Sequence, residues 1–118
     1  MIIERIIRDR LQREIYLPVF LEKPDSSEAD LPERYVTIEK TGGSRENHAI
    51  NRSTLAIQSY ATTREKAAEL NETVKDKMLE KLVELRQIGS IRLNSDYDFT
   101  DTQTKKYRYQ AVFEVTHY

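Results

Sequence analysis

The chain has 118 residues, of which 33% are charged, and Lys and Arg so nearly balance Asp and Glu that the formal net charge is -1. This length predicts one domain spanning residues 1–118, and the near-neutral charge is atypical of a general nucleic-acid binder, which is usually basic. Because the sequence has no cysteine, no signal peptide and no apolar run near the roughly 20 residues of a membrane span, we expect a soluble protein made in the cytoplasm, without disulfides or thiolate metal sites.

The first predicted elements are a helix and a short strand. Isoleucines and a leucine between residues 2 and 11 recur on one side of a helical wheel, which predicts a helix over residues 2–14. Pro18 stops that helix, and the apolar run at residues 19–21 favours a short strand. Residues 22–32 are acidic and bounded by prolines, which is typical of a loop.

The central part of the chain reads as two strands with an irregular connection between them. Residues 35–40 are rich in β-branched side chains, and we expect Gly42 and Gly43 to end this strand. Residues 44–52 have no clean period, and so long a connection is often functional or disordered. Residues 53–60 alternate with a period of two and predict the next strand.

A long helix follows, and its start is marked by the pair Thr62 and Glu65, which predicts a capping box. Apolar residues then recur at steps of three or four, as one stripe of a helix: Ala67, Leu70, Val74, Met78, Leu82 and Leu85. A helix unbroken over residues 63–86 would be about 36 Å long. Gly89 is the expected terminator.

Two strands complete the predicted fold. One begins at residues 91–93 and runs towards Phe99, and residues 98–105 form a polar connection. In the last strand one face carries alternate apolar and aromatic residues, namely Tyr107, Tyr109, Ala111, Phe113 and Val115. The pattern predicts an α+β fold: a mostly antiparallel sheet of four to five strands, with one long and one shorter helix packed on one face. The predicted core joins the strand residues Leu55, Ile57, Phe113 and Val115 to the helix residues Leu70, Val74 and Met78.

The sequence carries no pattern typical of a catalytic, cofactor or metal site, so we expect none and no enzyme activity. His48 and His117 lie far apart in sequence, and the acidic group of Asp96, Asp98 and Asp101 lacks the glycine and closing glutamate of a calcium loop. No serine stands in a nucleophile elbow, and the glycine pair is followed by no phosphate-binding lysine. Acidic residues that solvate a hairpin are the simpler interpretation.

The second half of the long helix is apolar on a second side. Leu79 and Val83 fall nearly opposite Val74 on the helical wheel. Either the first helix covers this side or another subunit does, and the sequence leaves both possibilities open.

Several stretches together resemble the tail-terminator (tail-completion) proteins of long-tailed bacteriophages. They are residues 32–38, the glycine pair, residues 55–61 leading into the paired alanines of residues 64–70, and residues 107–115. The resemblance covers most of the chain from Pro32, and rests chiefly on Gln58-Ser59-Tyr60-Ala61 before a helix and on Arg108-Tyr109-Gln110 in a closing strand. The family usually has Trp where this chain has Tyr60.

The resemblance implies a structural role in the virion. A ring of subunits, usually a hexamer, would form on the head-proximal end of the tail tube after assembly in the host cytoplasm. The ring would contact the tail tube protein and the head connector or neck protein, and would stop tube polymerisation. We expect no membrane partner and no sequence-specific nucleic acid. Expected subunit or partner contacts are Arg45, Glu46, His48, Arg52, Leu79 and Val83.

Two alternatives stay open at this stage. A head–tail joining (neck) protein can have the same size and a helix-flanked sheet. A small nucleic-acid-binding module could stack bases on Tyr107 and Tyr109 beside Arg108, although the balanced charge counts against it.

Overall fold

A computed structural model describes residues 2–22, 31–100 and 106–118. The helices are α1 (Ile3–Ile15) and α2 (Arg64–Glu80), with a short 3-10 helix at Leu82–Glu84. The strands are β1 (Val19–Phe20), β2 (Tyr35–Arg45), β3 (Asn51–Ala61), β4 (Ile88–Asp98) and β5 (Tyr107–His117). Parts of the predicted connections at residues 22–32 and 98–105 lie outside the described residues.

The strands form one sheet in the order β1-β2-β3-β5-β4. Every neighbouring pair is antiparallel except the short parallel pairing of β1 with β2. Helix α2 packs on β3, β5 and β4, while α1 packs beside it over β1 and β2. The predicted α+β fold, with helices packed against a mostly antiparallel sheet, is therefore confirmed.

The core lies between the sheet and the two helices. All the residues predicted to form it are buried in one cluster, with Leu55, Val74 and Phe113 fully inaccessible. The sequence pattern found them because strands alternate with a period of two and helices with a period near four. Helix α1 adds Ile3, Ile7 and Leu11 to the same cluster.

The glycine pair does not end β2, contrary to the sequence prediction. Strand β2 continues to Arg45, and its register with β3 shifts between Lys40 and Gly42, where a bulge absorbs one residue. Both ends of the predicted connection at residues 44–52 are therefore strand, and the turn itself comprises only residues 46–50. It is closed by Asn47, whose side-chain oxygen accepts from the backbone N–H groups of Ala49 at 2.8 Å and Ile50 at 3.0 Å.

Helix α2 also differs from its prediction at both ends. Its N-cap is Thr63, whose hydroxyl accepts from the backbone N–H of Lys66 at 3.2 Å, so the predicted capping box at Thr62 is wrong by one residue. The α-helix has 17 residues and ends at Glu80. Gly89, the predicted terminator, lies within β4 instead.

Candidate functional site

The two helices cover one face of the sheet and, among the described residues, leave the opposite face without a helix. We call this opposite side the open face. Strand geometry sends alternate residues there, and the register aligns them in rows across β2, β3, β5 and β4. The polar and aromatic residues of the open face include Thr37, Gln58, Tyr60, Arg108, Gln110 and Tyr97.

These six residues form a continuous chain of hydrogen bonds, which we call the cross-sheet network. Arg108 Nη1 donates to the Tyr60 hydroxyl at 3.3 Å, and that hydroxyl donates to Gln58 Oε1 at 2.6 Å. The Thr37 hydroxyl also donates to this oxygen, at 3.4 Å.

The chain then continues across the sheet. Gln58 Nε2 donates to Gln110 Oε1 at 2.8 Å, and Gln110 Nε2 donates to the Tyr97 hydroxyl. Each donor polarises the next in such a chain, which makes the arrangement stiffer than separate pairs would be.

Aromatic rings continue the same row on both sides of the network. The Tyr35 and Tyr60 rings stack with centroids 4.6 Å apart, and Phe20 meets Tyr35 edge-on at 5.9 Å. At the β4 end, Tyr97 and Phe99 meet at 5.8 Å and are exposed by 42% and 40%. The open face thus presents two aromatic rings at its β4 end that solvent can reach.

Arg108 carries the positive charge of this surface and is held rigidly. Its guanidinium lies 4.4 Å from the Phe99 ring centroid and 5.9 Å from that of Tyr60, and its Nε donates to the Phe99 carbonyl oxygen at 2.6 Å. No ion pair to a carboxylate involves Arg108 within the part of the chain that the structure describes.

The sequence-predicted contact residues fall into two groups. Arg45, Glu46, His48 and Arg52 come together at the exposed β2–β3 hairpin. There, Arg45 Nε donates to Asn51 Oδ1 at 2.9 Å, and Arg52 Nε lies 2.7 Å from Glu46 Oε1. The two arginines and Glu46 already have partners within the chain, and His48 lies exposed at the turn.

The other two predicted contact residues, Leu79 and Val83, lie on the outer side of α2 and in the 3-10 helix that follows. Leu79 is 41% exposed, and Val83 is half-buried. Helix α1 does not bury Leu79, because its own buried residues join the core cluster on the sheet side. The sequence left open whether the first helix or another subunit buries this side of α2. For Leu79, the structure shows that the first helix does not.

The outer side of α2 carries a run of acidic residues that sequence analysis did not single out. We call it the acidic ridge, and it comprises Glu65, Glu69, Glu72, Asp76 and Glu80. All are exposed, and their spacing of three or four residues places them along one line opposite the buried stripe. Glu72 is paired with Lys75 at 2.6 Å. The signal was present in the sequence as the polar counterpart of the apolar stripe.

A serine and a histidine that are distant in sequence meet at the end of the sheet. Ser53 Oγ and His117 Nε2 are hydrogen-bonded at 2.8 Å, because the β3–β5 register places the two residues near each other on the helix side. Burial first, and then the Lys40 ammonium, lower the pKa of His117. Ser53 is only 1% exposed, so the pair fastens two strands and offers no accessible nucleophile.

The aspartates considered for a cation loop are used by the protein itself. Asp96 accepts from Asn71 Nδ2 at 2.6 Å and from Lys75, which ties β4 to α2 and raises the pKa of Lys75. Hydrogen bonding from Thr100 lowers the pKa of Asp98, which also lies 3.0 Å from Arg64. Asp101 lies outside the described residues, among which no His or acidic cluster could hold a metal ion.

Comparison with known proteins gave no family. No protein-family model matches the chain. A search of curated proteins also found no match. No helix in the described ranges is long and apolar enough to cross a membrane. The resemblance to tail terminators therefore stays a prediction that rests on the sequence motifs.

Proposed function

We propose that this chain is a structural, non-enzymatic protein of a tailed bacteriophage virion. In this proposal it forms a ring, most simply a hexamer, on the head-proximal end of the tail tube. The ring stops the addition of tube subunits and gives the head connector or neck protein a surface to bind. No cofactor takes part.

The observation that carries the proposal is the cross-sheet network. The resemblance rests on two stretches that are far apart in sequence, residues 58–61 and 108–110. Their polar side chains meet on adjacent strands: Gln58 with Gln110, and Tyr60 with Arg108. The two motifs are thus parts of one feature, and a resemblance in both is more specific than a resemblance in either.

The free surfaces of the fold also support a ring protein. Both edges of the sheet have unpaired backbone within the described residues, since β4 pairs only with β5, and β1 covers β2 only at Val36 and Thr37. The acidic ridge and the open face lie on opposite sides. A subunit with different surfaces on opposite sides can make the head-to-tail contacts that close a ring.

The nucleic-acid alternative is weakened by the position of its residues. Tyr107 and Tyr109 point to the helix side of β5, while Arg108 points to the open face. Arg64 lies over the Tyr107 ring at 5.7 Å, on the helix side. The three residues therefore form no common platform on which bases could stack.

An early stop codon in the gene tests the function. In a phage that encodes this chain, a stop at Glu39 removes most of the sheet, so the growing tube end stays exposed. We expect electron microscopy of the lysate to show overlong tails and separate full heads. Tails of normal length that fail to join heads would support the neck-protein alternative instead, and normal infectious particles would contradict both.

A further inference from the structure

We propose that Arg108 binds a carboxylate from the acidic ridge of a second copy of this chain, so that the helix layer of one copy packs on the open face of the next. This inference rests on the proposed ring function, because it names the contact between neighbouring subunits. The resemblance to tail terminators does not indicate which surfaces of neighbouring subunits are in contact, so this contact is inferred from the structure.

The first argument is the state of Arg108. A guanidinium that is half-buried between two rings has lost part of its hydration, and charge-assisted bonds to a carboxylate would replace it. Its Nε and one Nη1 bond hold it in place from within. The side chain is thus already ordered, so binding a carboxylate costs little conformational entropy.

The second argument is the composition of the acidic ridge. Its successive members are like charges three or four residues apart, and each such pair destabilises an isolated helix. Asp76 and Glu80 also lie near the C-terminal end of α2, where the helix dipole disfavours negative charge. Only Glu72 has an ion-pair partner among the described residues. The guanidinium of Arg108 in another copy would relieve part of this repulsion.

The third argument is that the two surfaces match in length and direction. The ridge from Glu65 to Glu80 is about 22 Å long at the usual helical rise. On the open face, the distance along β5 from Arg108 to Glu114, which pairs with Arg92, is about 20 Å. Helix α2 and β5 both run opposite to β3, so they are roughly parallel to each other.

This geometry assigns approximate partners. If neighbouring copies are related by a rotation about an axis along the strands, the start of α2 lies over the start of the next copy's β5. Glu65 and Glu69 then face Arg108 of the next copy. The end of the ridge faces Arg92, whose side chain is 75% exposed and shares Glu114 with Arg52.

Cysteine crosslinking tests the contact directly, because the natural sequence has no cysteine. Asp76→Cys and Val112→Cys are combined in one chain. Tails that contain this variant are isolated from the phage and treated with a short bis-maleimide. The two positions lie on opposite sides of the same subunit, so a short crosslink between them has to join two copies. We expect crosslinked multimers from this pair.

A second pair provides the matched comparison. Thr41→Cys with Ser95→Cys places one cysteine on β4, an edge strand, and one on the part of β2 that β1 does not cover. Multimers from this pair alone would mean that subunits join edge to edge, which would overturn the inference and leave the ring function intact. If the chain is absent from the tails altogether, the proposed function fails and this inference fails with it.

Charge reversal gives an independent readout. We expect Arg108→Glu or Glu69→Arg to lower crosslinking of the Asp76 and Val112 pair at least about tenfold, and the two reversals together to restore much of it. Glu84→Arg, the same charge change just beyond the ridge, should have little effect. Arg108→Glu can also disturb the cross-sheet network. Glu69→Arg, on the exposed ridge, leaves that network intact and is therefore the decisive variant. Unchanged crosslinking in Glu69→Arg would contradict the inference.

Discussion

His117 shows how a single residue makes the stability of this sheet depend on pH. Its ring is hydrogen-bonded to the buried Ser53 and lies near the Lys40 ammonium, while Glu4 and the backbone at Tyr118 act in the opposite direction. Burial and Lys40 prevail, so the pKa of His117 in the folded protein is below its ordinary value of 6.5. The folded state therefore favours the neutral ring.

The sign of the pH effect follows from this shift. Below pH 6.5 the unfolded chain binds a proton at His117 more readily than the folded chain does, so the stabilisation present above this pH is lost as the pH falls towards and through the folded pKa. We expect the melting temperature to fall between pH 7 and pH 5 by more in the natural protein than in His117→Gln. Identical pH profiles for the two proteins, measured by calorimetry, would show that His117 is not the group responsible.

Burial of individual residues could be predicted from sequence, but their partners could not. Alternation placed Phe113 in the core and Arg108 on the other side of β5, as the structure has them. The bond between Gln58 and Gln110 depends on the register of β3 with β5. A period of two indicates on which face of the sheet each residue lies, but not which residue of the next strand it pairs with. The cross-sheet network therefore could not be predicted from the pattern.

At the scale of elements, the start of α2 offers a test between two adjacent threonines. Thr63 accepts the capping hydrogen bond from Lys66, while Thr62 lies one residue before the cap. We expect Thr63→Ala to lower the free energy of unfolding by about 1 kcal/mol, as loss of an N-cap does. Thr62→Ala, the matched control, should change it by less than about 0.5 kcal/mol. Equal effects of the two substitutions in denaturant titrations would mean that Thr63 is not the N-cap.

The β2–β3 hairpin offers a similar comparison at its two glycines. A Cβ at Gly43 would lie 2.9 Å from the Arg52 carbonyl oxygen and 3.0 Å from Lys40 Cε, whereas one at Gly42 meets only Thr54 Oγ1 at 4.0 Å. We expect Gly43→Ala to destabilise the protein by roughly 1–3 kcal/mol, as overpacking does. Gly42→Ala should be neutral or slightly stabilising, since neither glycine has a positive φ. The reverse order of stabilities in thermal unfolding would contradict the hairpin geometry.

The elements whose prediction failed are those that tertiary contacts decide. A glycine pair normally favours a turn, but here β3 pairs with β2 on both sides of it and carries the strand to Arg45. The apolar stripe of α2 continues to Leu82 and Leu85, which pack against the core although the α-helix has ended at Glu80. Periodicity alone could not separate a helix from the 3-10 turn that extends its stripe.

At the scale of the whole molecule, the fold divides its surface by chemistry. One side bears the acidic ridge, the opposite side bears Arg108 within the cross-sheet network, and the hairpin forms an ion-paired end through Arg52 and Glu46. A contact between the acidic ridge of one copy and the open face of the next joins two different sides, so it is head-to-tail. A head-to-tail contact closes into a ring when the rotation between copies allows it.

Cryo-electron microscopy of intact tails tests most directly the proposal that this chain forms a ring at the top of the tail tube. We expect density at the head-proximal end into which copies of this fold can be placed as a closed ring, with α2 of each copy over the open face of the next. A tail whose head-proximal end contains no ring of this chain would contradict the proposal.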